Sequence, residues 1–78
     1  MPTILRLGQY RLFFYSSDRD EPVHIHVEQE EMIAKFWLDP VRLQESGGFS
    51  RSEVLKIQNL IEKNRTILLG AWNDYFSE

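Results

Sequence analysis

The run "PVHIHVE", residues 22 to 28, sets His24 and His26 two apart in an otherwise apolar stretch. Side chains alternate on an extended chain, so both imidazoles point the same way, with Cα atoms ~6.5–7 Å apart. That spacing lets two ring nitrogens reach one zinc ion. It also lets them serve as general base and general acid on a phosphodiester, with Lys35 steadying the charge of the transition state. Each chemistry meets an obstacle. Zinc wants three or four ligands, and Glu28 alone is in phase on the strand, so no metal is favoured. His24, His26 and Glu28 stand as an incomplete set, with zinc the one cofactor left open. The carboxylates of Asp18, Asp20 and Glu21 could fold over the histidines, but nothing in the sequence places them there. Two imidazoles on one strand also approach a phosphate from one side, which suits in-line transfer poorly. The plain alternative is that they form the wet side of a half-buried strand.

The strands around them follow from the alternation of apolar and polar residues. "TILRL" and "YRLFFY" flank Gly8-Gln9, a two-residue connection suited to a type II′ or I′ hairpin. The turn pairs Leu7 with Tyr10, Leu5 with Leu12 and Thr3 with Phe14, and gathers Leu5, Leu7, Tyr10, Leu12 and Phe14 on a core face. After the polar loop "SSDRDEP" comes "VHIHVE", then a short acidic turn, then "MIAKFWL". With Gln29 and Glu30 in the turn, His24 lies opposite Lys35 and His26 opposite Ile33. Val23, Ile25, Val27, Met32, Ala34 and Phe36 then face the core. "DPVRLQESGG" reads as a turn, a short edge strand at Val41 to Leu43 and a glycine pair.

"FSRSEV" carries the clearest local signal. Ser50 is a good N-cap with Glu53 three residues later, and Phe49 and Val54 occupy the hydrophobic-staple positions. A helix therefore starts at Arg51. Its apolar stripe runs through Val54, Ile57, Leu60/Ile61, Leu68, Ala71/Trp72 and Tyr75, weakened near Asn64, since neither Asn nor Thr is a strong helix former. Two shorter helices meeting near Asn64 are one solution; the favoured one is a single helix of about 26 residues, ~39 Å long against ~20 Å for six-residue strands. Continuous or slightly kinked near Asn64, it overhangs the sheet and leaves Leu68, Trp72, Tyr75 and Phe76 for a dimer or partner contact.

The chain has 78 residues, 42% of them apolar and 13% aromatic, and no cysteine. That is one domain, 1–78, near the lower limit for a lone core. Disulfides and cysteine-based zinc sites are excluded, and a small uncrosslinked chain fits the cytoplasm. No apolar run reaches the ~18 residues needed to span a bilayer, and "MPTILRLGQY" lacks the features of a signal peptide. The net charge of −3 means that nucleic-acid binding needs a local basic patch. Strand phase supplies one. Arg6, Arg11, Phe13, Tyr15, His24, His26, Glu28, Lys35 and Trp37 share the face away from the helix, and cations interleaved with aromatics suit phosphate neutralisation with base stacking. The same face suits an acidic peptide.

The segments "MPTILR", "YRLFFYS", "EPVHIHVE", "AKFWLDPV", "GFS" and "AWNDYF", in this order and spacing, together resemble a bacterial family known as domain of unknown function 4160. The likeness covers nearly the whole chain. It departs after "HIHVE", where family members often have glycine and this chain has "QEEM". The resemblance implies a gene neighbour from a second uncharacterised family, and hence a toxin–antitoxin type two-gene module. It implies no activity and no catalytic residues.

The sequence thus predicts an α+β domain: a four-stranded antiparallel meander, with a short fifth strand at most, covered on one face by a long C-terminal helix. The leading function is a small non-enzymatic interaction module, one half of a toxin–antitoxin-like pair. It binds the product of an adjacent gene, a second copy of itself or a nucleic acid. Its contacts are the sheet face (Arg6, Arg11, Tyr15, His24, His26, Lys35, Trp37) and the helix (Leu68, Trp72, Tyr75, Phe76). The alternative is a small ribonuclease or metal-dependent hydrolase centred on His24, His26 and Lys35.

Overall fold

The computed structural model describes residues 3–77. Five strands, β1 (Thr3–Leu7), β2 (Tyr10–Phe13), β3 (His24–Gln29), β4 (Met32–Leu38) and β5 (Val41–Glu45), precede two helices, α1 (Arg51–Lys63) and α2 (Arg65–Phe76). The strands form one antiparallel sheet in chain order. The meander has five members: the short fifth strand expected beside the other four forms, and it runs two residues further, from Val41 to Glu45.

The first hairpin closes on Gly8, whose φ of +59° matches the first position of a type II′ turn. Leu7 pairs with Tyr10 and Leu5 with Leu12 as expected, but the register shifts between Thr3 and Leu5, so Thr3 meets Phe13 rather than Phe14. In the second hairpin the turn is Glu30-Glu31, not Gln29-Glu30. His24 therefore faces Trp37, and His26 faces Lys35. The slip moves each partner by two residues, which preserves the pleat and hence the choice of face. Glu30 carries the turn at φ +56°, a left-handed conformation that favours glycine.

The core face is the predicted one. Tyr10, Leu12, Phe14, Ile25, Val27, Ala34 and Phe36 are buried against Phe49, Val54, Ile57 and Ile61 of the cap and first helix. Ser50 caps α1 by accepting a hydrogen bond from the Glu53 amide at 3.2 Å. The Glu53 carboxylate accepts from the Tyr10 hydroxyl at 2.9 Å, tying the helix start to the sheet. Before the cap, Gly47 sits so close to β4 that a Cβ there would lie 1.8 Å from the Ile33 carbonyl oxygen.

The helical half departs from expectation at Asn64. This residue leaves helical geometry (φ −112°, ψ 14°), and its side-chain amide donates to the Leu60 carbonyl at 2.8 Å. Bonding its own helix in this way is the competition with the backbone that makes Asn a poor interior residue. The chain consequently forms two helices, and the second returns to the sheet. Arg65 fixes the restart, donating to the Leu38 carbonyl at 2.8 Å and to Asp39 at 2.9 Å. Leu68 is 0% exposed, and Trp72 is buried as well. The overhang predicted for these two residues does not occur; both belong to the chain's own core, while Tyr75 stays exposed and Phe76 half-buried.

Candidate functional site

The outer face of the sheet begins as the pleat requires: His24 and His26 point the same way, with ring centroids 5.0 Å apart at right angles. It is not a wet wall. After β2 the chain turns through Phe14 and Tyr15 into a single 3-10 turn, Ser16–Asp20, which lays Asp18 over the histidines. Asp18 is held by its own backbone neighbourhood, its Oδ2 accepting from the Tyr15 amide at 2.9 Å. The same oxygen lies 3.0 Å from His26 Nε2 and 3.1 Å from His24 Nε2. Phe13 stacks on His26 at 5.3 Å and Tyr15 meets it edge-on at 4.7 Å. Trp72 stands 5.1 Å from both Phe14 and His24, so α2 closes the end of the sheet where β2 stops and β3 starts. His24 is 0% exposed. The expectation of exposed imidazoles fails because a loop and a helix each contribute one side chain to seal them.

The electrostatics follow from this enclosure. Burial pushes the His26 imidazole below its ordinary value; the hydrogen bond and charge of Asp18 pull it back up, but not far enough, and His24 and Lys35 add to the lowering. For Asp18, burial alone would raise the carboxyl. The Tyr15 amide and the two imidazoles outweigh it and hold the group below the usual carboxylate range. Glu21 is lowered too, by the hydrogen bond from Lys35.

The charges of the outer face are largely paired. Arg11 binds Glu28 at 2.6 Å and lies 4.2 Å over the Phe13 ring. Lys35 pairs with Glu21 and sits 5.0 Å over Trp37. Arg6 is exposed near the far end of β1. The local excess of cations expected from strand phase therefore disappears, because Asp18 and Glu21, from a loop whose position strand phase does not give, arrive on the same side. Glu28, the in-phase carboxylate, is committed to Arg11 and stays outside the histidine cluster. Asp18 takes its place. Its one trace in the sequence is local: Asp18 stands three residues after Tyr15, the spacing at which a carboxylate reaches back to a backbone amide.

The described residues also form open clefts away from the histidines. One of about 540 Å³ lies between the first hairpin and α1 and includes Tyr10, Glu53 and Lys56. A second, of about 420 Å³, runs between β5 and α1 and is lined by Leu43, Phe49, Val54 and Leu55, with Arg51 at its margin. No helix among the described residues is long and apolar enough to cross a membrane.

A five-stranded antiparallel meander with a broken helical cover and a buried histidine–aspartate cluster makes this a small α+β domain. The chain belongs to the family described as domain of unknown function (DUF4160), whose family model matches residues 10–73. That span runs from the first residue of β2 to the residue after Trp72, and so contains both histidines, Asp18 and the helix break. No curated protein and no solved structure matches the chain.

Proposed function

We propose that this protein is a non-enzymatic interaction module, one member of a toxin–antitoxin-like pair, which binds the product of an adjacent gene along the β5 edge. The observation that carries this reading is the apolar cleft beside that edge. Leu43 on β5 and Leu55 on α1 are 41% and 56% exposed, flanking the buried Phe49 and Val54. Among the described residues β5 is the last strand of the sheet, so one side of its backbone presents an edge. An extended segment of a partner added there gains main-chain hydrogen bonds from the edge and apolar contact from the cleft.

A ribonuclease or hydrolase centred on His24 and His26 has the proximity of the two rings in its favour. Against it stand the absence of accessible surface on His24 and the engagement of Lys35 by Glu21.

Co-expression with the adjacent gene product, followed by purification on a tag carried by that product, tests the proposal. The wild-type chain co-purifies in a fixed ratio. Leu43→Asp with Leu55→Asp removes two exposed side chains, leaves the circular dichroism unchanged and reduces recovery at least ~10-fold. Undiminished recovery of the double variant would sink the β5 assignment, and a wild-type chain that purifies alone would sink the pair.

A further inference from the structure

We propose that Asp18, His24 and His26 form a transition-metal site, suited best to Zn(II), which fastens the Ser16–Asp20 turn to β3. It is independent of the β5 interaction surface and does not require any reaction. The geometry begins at His24. Its Nδ1 lies 2.7 Å from the Pro22 carbonyl oxygen. A carbonyl only accepts, so Nδ1 carries the proton and donates. In the neutral ring the lone pair is then on Nε2. That atom is fully buried and has no hydrogen-bond partner. The nearest acidic atom is Asp18 Oδ2, 3.1 Å away. A lone pair facing a carboxylate oxygen is repulsive, and a buried unpaired polar atom is costly. A cation between them, whether a proton or a metal ion, converts both terms into attraction.

A third donor is already in place. His26 Nε2 lies 3.0 Å from the same Asp18 oxygen, and the ligating atoms of all three residues fall within 4.8 Å of one another. Tetrahedral zinc with bonds of about 2.0–2.1 Å sets neighbouring ligand atoms about 3.3 Å apart. The two pairs that share Asp18 Oδ2 therefore need to open by only a few tenths of an ångström, and the two imidazole nitrogens, within 4.8 Å of each other, close onto the same ion. Zinc takes the Nε2 lone pair of His26, so the proton that Nε2 now donates to Asp18 moves by exchange with solvent to Nδ1 of the same ring.

The surrounding groups orient the ligands as metal sites require. The Pro22 carbonyl fixes the ring of His24, and the Tyr15 amide fixes the carboxylate of Asp18. Two imidazoles and one carboxylate suit zinc and its neighbours among the divalent transition metals, whereas Mg²⁺ and Ca²⁺ prefer all-oxygen sites. Three protein ligands leave a fourth position for water. It opens beside Asp18 and His26, whose side chains keep 7% and 10% of their accessibility. Lys35, whose charge acts on His26, is compensated by Glu21.

The test uses tag-free full-length protein, stripped with EDTA and titrated with Zn(II) in a calorimeter. Binding is expected at one ion per chain. Zn(II) is expected to raise the unfolding temperature reversibly, and Co(II) in its place to give the visible absorption of a four-coordinate site. Asp18→Asn and His26→Gln each weaken binding at least ~10-fold while the circular dichroism stays native. Glu28→Gln leaves binding unchanged. Because His24→Gln removes a fully buried group and can unfold the chain, the decision rests on Asp18 and His26, which lie nearer the surface. Absence of saturable Zn(II) binding by the wild type overturns the proposal, as does undiminished affinity in both variants.

Discussion

Replacing Leu68 by alanine probes the step that most changes the picture of this fold, the return of α2 to the sheet. Leu68 is fully buried and belongs to the main core cluster. Removing three carbons from such a site costs the transfer energy of those atoms plus the cavity left behind, together about 2–5 kcal/mol. A domain of 78 residues has a total stability of roughly 4–12 kcal/mol, so the loss is a large share of the whole. With a urea slope near ~1 kcal/mol per M for so small a chain, the midpoint should fall by about 2 M or more, or the variant should be unfolded without urea. Ile67 is the internal control. It is the preceding residue on the same helix but 57% exposed, and Ile67→Ala should stay within about 0.5 kcal/mol of wild type. The assay is urea unfolding of the isolated chain followed by far-ultraviolet circular dichroism. If Leu68→Ala and Ile67→Ala shift the midpoint equally little, α2 is not docked, and the continuous overhanging helix is restored.

Tyr10→Phe should cost about 1–2 kcal/mol, the worth of a partly buried hydrogen bond to a carboxylate, with a pH signature. The Tyr10 phenol is pushed up by burial first and by the bond and charge of Glu53 next. Its contribution is therefore intact below the unfolded value of about 10 and is lost as pH rises through the folded value. Wild-type stability should decline more steeply than that of Tyr10→Phe above pH ~10, and parallel curves would contradict the burial of the phenol. Glu30→Gly should stabilise the chain by about 0.5–1 kcal/mol: it relieves a left-handed conformation worth about 1–2 kcal/mol, offset in part by the larger entropy of glycine in the unfolded state. A loss of stability on thermal melting would mean that Glu30 does not occupy that conformation.

Much of this protein was legible in its sequence because the signals are local. Alternation assigned the strands and their faces, and it survived a two-residue error in the β3–β4 turn since the pleat repeats every second residue. The Ser50 cap placed the start of α1 at Arg51, and the poor helix-forming character of Asn64 marked the point where the cover breaks. The histidine pair stood out as the chemistry-bearing feature from its spacing alone. What tertiary structure decided is the surroundings of that pair. Alternation puts both rings on the side away from α1, but it says nothing about a loop between strands. The turn that swings Asp18 onto them, and the Trp72 ring that closes the end of the sheet over His24, come from segments whose course depends on packing across the molecule. The same long-range packing turned Leu68 and Trp72 from a bare helical stripe into core, because a break at Asn64 costs little when it lets two large apolar side chains leave water.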